Sequence, residues 1–140
     1  MTRQWLGVLL LICSAVWAED RSAGLGLPFS DARRVGDLLI LSGQLGNLPG
    51  KLELAPGGLE GEARQAMENV KAIVEANGLT MEDVVKCTVM LKDMNDWAAF
   101  NAVYVKYFPG IKPARSAFGA SGLALGGNLE IECWASFERR

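Results

Sequence analysis

From residue 59 onward the sequence alternates between apolar patterns of helical period and apolar patterns of period two, and this alternation limits the fold more than any other feature. Leu59, Ala63, Ala66, Met67, Val70, Ile73 and Val74 fall on one stripe of an α-helix, and Gly78 sits where a helix-ending glycine belongs. The intervening Glu60, Glu62, Arg64, Glu68 and Lys71 read as the solvated face of that helix. After a turn that Thr80 and Asp83 can close as a capping box, Val85, Cys87, Val89 and Leu91 alternate with Lys86, Thr88 and Met90, the period of a half-buried strand. Asn95 and Asp96 offer N-caps to a second helix with the stripe Trp97, Phe100, Val103, Tyr104, Tyr107 and Phe108, stopped by Pro109. Helical spacing assigns these aromatic residues to the core.

On the N-terminal side, residues 31–36 read as a strand turning at Val35-Gly36-Asp37 into a four-residue apolar strand, Leu38 to Leu41. That strand ends in Ser42-Gly43, which either exposes backbone amides and a hydroxyl to a site or marks a bulge with close packing at Gly43. Residues 46–58 form a loop rich in glycine and proline that covers a site or only connects. On the C-terminal side, Arg115 opens a strand, a glycine-rich connection runs over residues 119–127, and a last strand follows at 129–137. Its alternation puts Glu130 and Glu132 on one face and Leu129, Ile131, Cys133, Ala135 and Phe137 on the other. One forked cation and one carboxylate are then candidates for a shared cleft. The element order predicts an α+β fold with both helices on one face of the sheet. The second face carries Met90 and Trp134 beside the two glutamates, and association of copies through the sheet would cover it.

Residues 1–18 have the composition of a secretory signal peptide: Arg3, an apolar run from Trp5 to Val16, and small residues before a cut after Ala18. The run is short for a membrane span of about 20 residues, although an uncleaved anchor is the alternative. The expected mature unit is a single domain over residues 19–140, periplasmic or secreted and free of the membrane after cleavage. Loss of Arg3 moves the net charge from −2 to −3. With adjacent basic residues only at Arg33–Arg34 and Arg139–Arg140, nucleic acid is not expected as a partner. Cys87 and Cys133 sit on apolar sides of strands and read as buried thiols, with a disulfide left open because sequence cannot give their separation. The chain has no histidine, which excludes the Ser-His-Asp and Cys-His nucleophile systems and the usual histidine-containing zinc and iron ligand sets. No metal site is expected.

Several segments in order, LLILSGQ (38–44), ARQAMENVKAIVEANG (63–78), VVKCTVMLKDMNDW (84–97), residues 101–109, PARS (113–116) and EIE (130–132), resemble the Rid family, the YjgF-like imine and enamine deaminases. The resemblance covers nearly all of the chain after the leader. It implies a chorismate-mutase-like fold with a mixed sheet, a homotrimer, and ligand clefts between subunits. It also implies that Arg115 clamps a substrate carboxylate, that Glu130 positions the attacking water, and that Ser42, Gly43 and Asn101 line the site. Phe29 stands where the family's deaminases have tyrosine and Ala117 where they have cysteine, so both alter the wall of that site.

The reaction so implied is hydrolysis of a 2-imino or enamine acid to a 2-oxo acid and ammonia, with no cofactor. A planar guanidinium suits bidentate recognition of a carboxylate, and a fixed carboxylate suits water activation. The alternative is a non-catalytic binding module for small carboxylate metabolites that keeps the clamp without turnover.

Overall fold

The computed structural model describes residues 20–138; the leader expected at residues 1–18 lies outside them. The described part opens with a single helical turn, α1 (Arg21–Gly24), then a hairpin of β1 (Ala32–Val35) and β2 (Leu38–Leu41). Gly36, at φ 58°, takes the left-handed conformation that this tight turn requires. There follow β3 (Gln44–Leu45), α2 (Gly58–Ala76), β4 (Val84–Leu91), α3 (Trp97–Tyr104), β5 (Ala114–Gly119) and β6 (Leu129–Ser136). The sheet order is β1-β2-β6-β4-β5, with β3 continuing the β2 edge against β6. Only the β4–β5 pair is parallel, as its connection through α3 requires, so the sheet is mixed and the fold is α+β.

The helical stripe of α2 behaves as its spacing predicts. Ala63, Ala66, Met67, Val70, Ile73 and Val74 are buried against Cys87, Val89, Leu91, Leu129, Ile131, Cys133 and Ala135. Phe100, Val103, Tyr104 and Phe108 join the same cluster, so α2 and α3 share one face of the sheet. Thr80 and Asp83 close their turn, the Thr80 amide donating to the Asp83 carboxylate at 2.8 Å.

Four expectations are corrected. Trp97 is 46% exposed and does not belong to the buried stripe. A short 3₁₀ turn precedes α3, and its cap is Asp93, which accepts from the Asn95 amide at 2.9 Å; neither Asn95 nor Asp96 serves as a side-chain cap. In β4 the inward residue at the start is Val84 instead of Val85, because one extra residue on β4 shifts its register against β6 between Val84 and Lys86. The cysteines are bridged: Cys87 and Cys133 are direct partners across β4 and β6, with Cα atoms 4.1 Å apart, and form a disulfide. Two buried thiols facing each other in register cannot be recognised from residues 46 positions apart.

Candidate functional site

The seven candidate residues fall into two groups. The first is cationic and lies on the helix side of the sheet. In the parallel ladder Arg115 is opposite Cys87 and Ala117 opposite Val89, both core residues, so Arg115 leaves β5 toward α3. Its guanidinium carbon stands 4.7 Å from the Tyr104 ring centroid and 5.9 Å from those of Trp97 and Phe100. Attraction between the cation and the negative ring faces holds the guanidinium there. Among the described residues no carboxylate forms an ion pair with it.

Two polar atoms of α3, Asn101 Oδ1 and the Tyr104 hydroxyl oxygen, are buried without a hydrogen-bond partner. Buried polar groups are almost always paired, so these two point to a partner that this chain alone does not supply. Burial pushes the Tyr104 phenol up to about 12, with the Arg115 charge opposing the shift. At neutral pH Tyr104 is therefore an O–H donor. The aromatic stripe had suggested only packing here. The signal for more was a tyrosine in a core stripe, whose hydroxyl must find a partner.

The second group is built around Glu130. Between β2 and β3 the pairing with β6 resumes with one extra residue, a bulge at Leu41 to Gly43. A Cβ at Gly43 would collide with Glu130 Oε1, so a glycine is what lets the carboxylate lie against the backbone. Of the two readings of Ser42-Gly43, the bulge with close packing at Gly43 is the one that holds, and the Ser42 amide and hydroxyl are not offered to a site. Ser42 is held by its amide, which donates to the Asp31 carbonyl at 2.9 Å, and by its hydroxyl, which donates to the Ser30 carbonyl at 2.6 Å. Next to them, the Ser22 hydroxyl donates to the Phe29 carbonyl at 2.6 Å, and the Phe29 residue is half exposed.

Burial raises the Glu130 carboxyl above the usual glutamate range, and the nearby charge of Glu132 adds to the shift. A carboxylate in this state is a stronger base than one in water. The strand that carries it is anchored by Glu62, a residue expected on the solvated face of α2 but 4% exposed. Glu62 accepts from the Asn128 amide at 2.7 Å and from its side chain at 2.6 Å. Both carboxylate oxygens are thus satisfied inside the fold, which is why a charged residue tolerates this position. Among the described residues no three His, Cys, Asp or Glu side chains cluster closely enough to hold a metal ion.

Phe29, Ser42, Gly43 and Glu130 are thus brought together, and Arg115, Asn101 and Ala117 are placed elsewhere. Glu130 is opposite Met90 and Arg115 opposite Cys87, register positions three apart and so of opposite parity on β4. The cation and the carboxylate project from opposite faces of the sheet, with β4 between their strands. One chain does not form a cleft shared by both.

The family model for endoribonuclease L-PSP matches residues 23–137. The 2-iminobutanoate/2-iminopropanoate deaminase of Mus musculus is 43% identical over 125 residues, 89% of this chain and 92% of that protein. The crystal structure of the Escherichia coli YjgF gene product aligns with a TM-score of 0.75 at 39% identity, covering 79% of this chain and 89% of the other. That of E. coli TdcF with bound serine has a TM-score of 0.75 at 36% identity, covering 80% and 90%.

Proposed function

Because this chain belongs to the Rid (YjgF-like) family, we propose that it hydrolyses 2-imino or enamine acids to 2-oxo acids and ammonia. The observation that carries this reading is the Arg115 guanidinium, fixed over Tyr104 with no carboxylate of the described chain to neutralise it. A substrate carboxylate is the natural counter-ion, held by two parallel N–H···O bonds. The deaminase named among the relatives and the serine bound to TdcF both support a small amino-acid-like ligand.

Glu130 receives a proton from water as the oxygen attacks the C=N carbon, the C=N π electrons move to nitrogen, and nitrogen takes up a proton from solvent. The C–O bond forms and the tetrahedral amino alcohol results. Return of the Glu130 proton to nitrogen accompanies cleavage of the C–N bond and release of ammonia, and the hydroxyl gives its proton to solvent as the C=O of the 2-oxo acid forms. The rate advantage lies in orientation and this proton relay.

The opposed placement of Arg115 and Glu130 favours a site completed by two copies, the α3–β5 surface of one meeting the Glu130 edge of the next, in the homotrimer that the fold suggests. Such a docking would give Asn101 Oδ1 and the Tyr104 hydroxyl partners and would cover Trp134 and Phe118, which are exposed in a single chain. We also place the protein outside the cytoplasm, in the periplasm or secreted. The Cys87–Cys133 disulfide and the composition of residues 1–18 support this.

The test is release of 2-oxo acid from imino acids made in situ by an amino-acid oxidase. Output equal to that of buffer would end the enzyme reading. The second reading, binding of small carboxylates without turnover, is favoured by Phe29 and Ala117, which bring neither a hydroxyl nor a thiol to the site. It predicts thermal stabilisation by 2-oxo acids with no catalysis.

A further inference from the structure

Between the N-terminal segment, the β2–β3 edge and the connection before β6 lies a hollow of about 280 Å³, walled chiefly by Leu25, Leu27, Phe29, Leu45, Leu52 and Leu125. It adjoins the acidic half of the site. Gly43 forms part of its wall and also makes room for the Glu130 carboxylate, and Leu45 is the direct register partner of Glu130. A group seated in the hollow would therefore extend from a reacting carbon beside Glu130.

Two observations favour an apolar occupant. Polar groups on the wall are engaged within the chain: the Ser22 hydroxyl donates to the Phe29 carbonyl, and the Asn69 side-chain amide donates to the carbonyls of Leu45 and Asn47 at 3.1 and 2.9 Å. In addition, Leu125 adopts φ 59°, a left-handed conformation that costs any residue with a Cβ, and it does so with its side chain 45% exposed at this hollow. A leucine side chain held partly exposed at that cost suits an apolar occupant.

We propose that this hollow receives the substrate's side chain and selects 2-imino acids with a branched or aromatic apolar side chain, such as those from leucine or phenylalanine, over those from alanine or glutamate. The proposal rests on the deaminase reading above. The size agrees with the low end of small-molecule sites, about 300 Å³ and upward.

The test compares kcat/KM for imino acids generated in situ from leucine, phenylalanine, alanine and glutamate. The leucine-derived substrate should exceed the alanine-derived one by roughly 10- to 100-fold, the discrimination that a few methylenes in an apolar pocket give. Leu125→Asn should narrow that ratio by about ten-fold, and because asparagine tolerates the left-handed region the variant should fold. A ratio near one, or a ratio unchanged in the variant, overturns the hollow and leaves the deaminase reading standing. If no imino acid is turned over, the deaminase reading fails and binding decides the hollow. In that case 4-methyl-2-oxopentanoate should raise Tm more than pyruvate, with the gap closing in Leu125→Asn. Equal shifts, or none, overturn it.

Discussion

The cationic and acidic halves of the site solve opposite problems. Arg115 is a charge kept available: rings hold it in place, and no carboxylate of the described chain quenches it. Glu130 is a charge made reluctant, raised toward neutrality by burial and by Glu132. Had both lain on one face, they would have paired, losing the free clamp and depressing the base. Placing them on opposite faces of one sheet keeps each half primed, and in the site proposed above a second copy brings them within reach of one ligand.

The sharpest way to break this contrast is to remove the clamp. Arg115→Ala should cut kcat/KM for imino-acid hydrolysis by on the order of 10³-fold, and Arg115→Lys should recover only part, since a point charge cannot replace the fork. Glu130→Gln should lower kcat by about 10²-fold or more with little change in KM, separating base from clamp. Mixing the two inactive proteins under conditions of subunit exchange should restore about a quarter of native activity if each site draws on two copies, and none if one chain holds the whole site. The smallest effect is on pH. Activity that needs ionised Glu130 should fall on the acid side with a midpoint above the ordinary glutamate value, and Glu132→Gln should move that midpoint down by removing one of the two causes of the shift. A midpoint unmoved by Glu132→Gln would assign the shift to burial alone.

The two halves were also unequally legible in the sequence. Local periodicity exposed the stripe of α2 and the alternation of β6, because both need only neighbours in the chain. The relation of Arg115 to Glu130 depends on two registers, β4 with β5 and β4 with β6, where a slip of one residue reverses a face. The same non-local cause hid the Cys87–Cys133 bridge and the exchange of Val85 for Val84. Glu62 was misread for another reason: its charge promised water, and only the approach of Asn128 supplies the hydrogen bonds that make burial tolerable. Tyr104 matched the core pattern correctly, yet that pattern says nothing of a hydroxyl left unpaired.

The bridge between β4 and β6 closes a ring of chain that contains α3, β5 and the first part of β6. Asn101, Tyr104, Arg115 and Glu130 all belong to that ring, so a single peptide cut in the exposed glycine-rich connection at residues 119–127 would leave both pieces tethered. A molecule nicked there would keep Arg115 and Glu130 in one covalent body, and separating them would require a reductant as well as a protease.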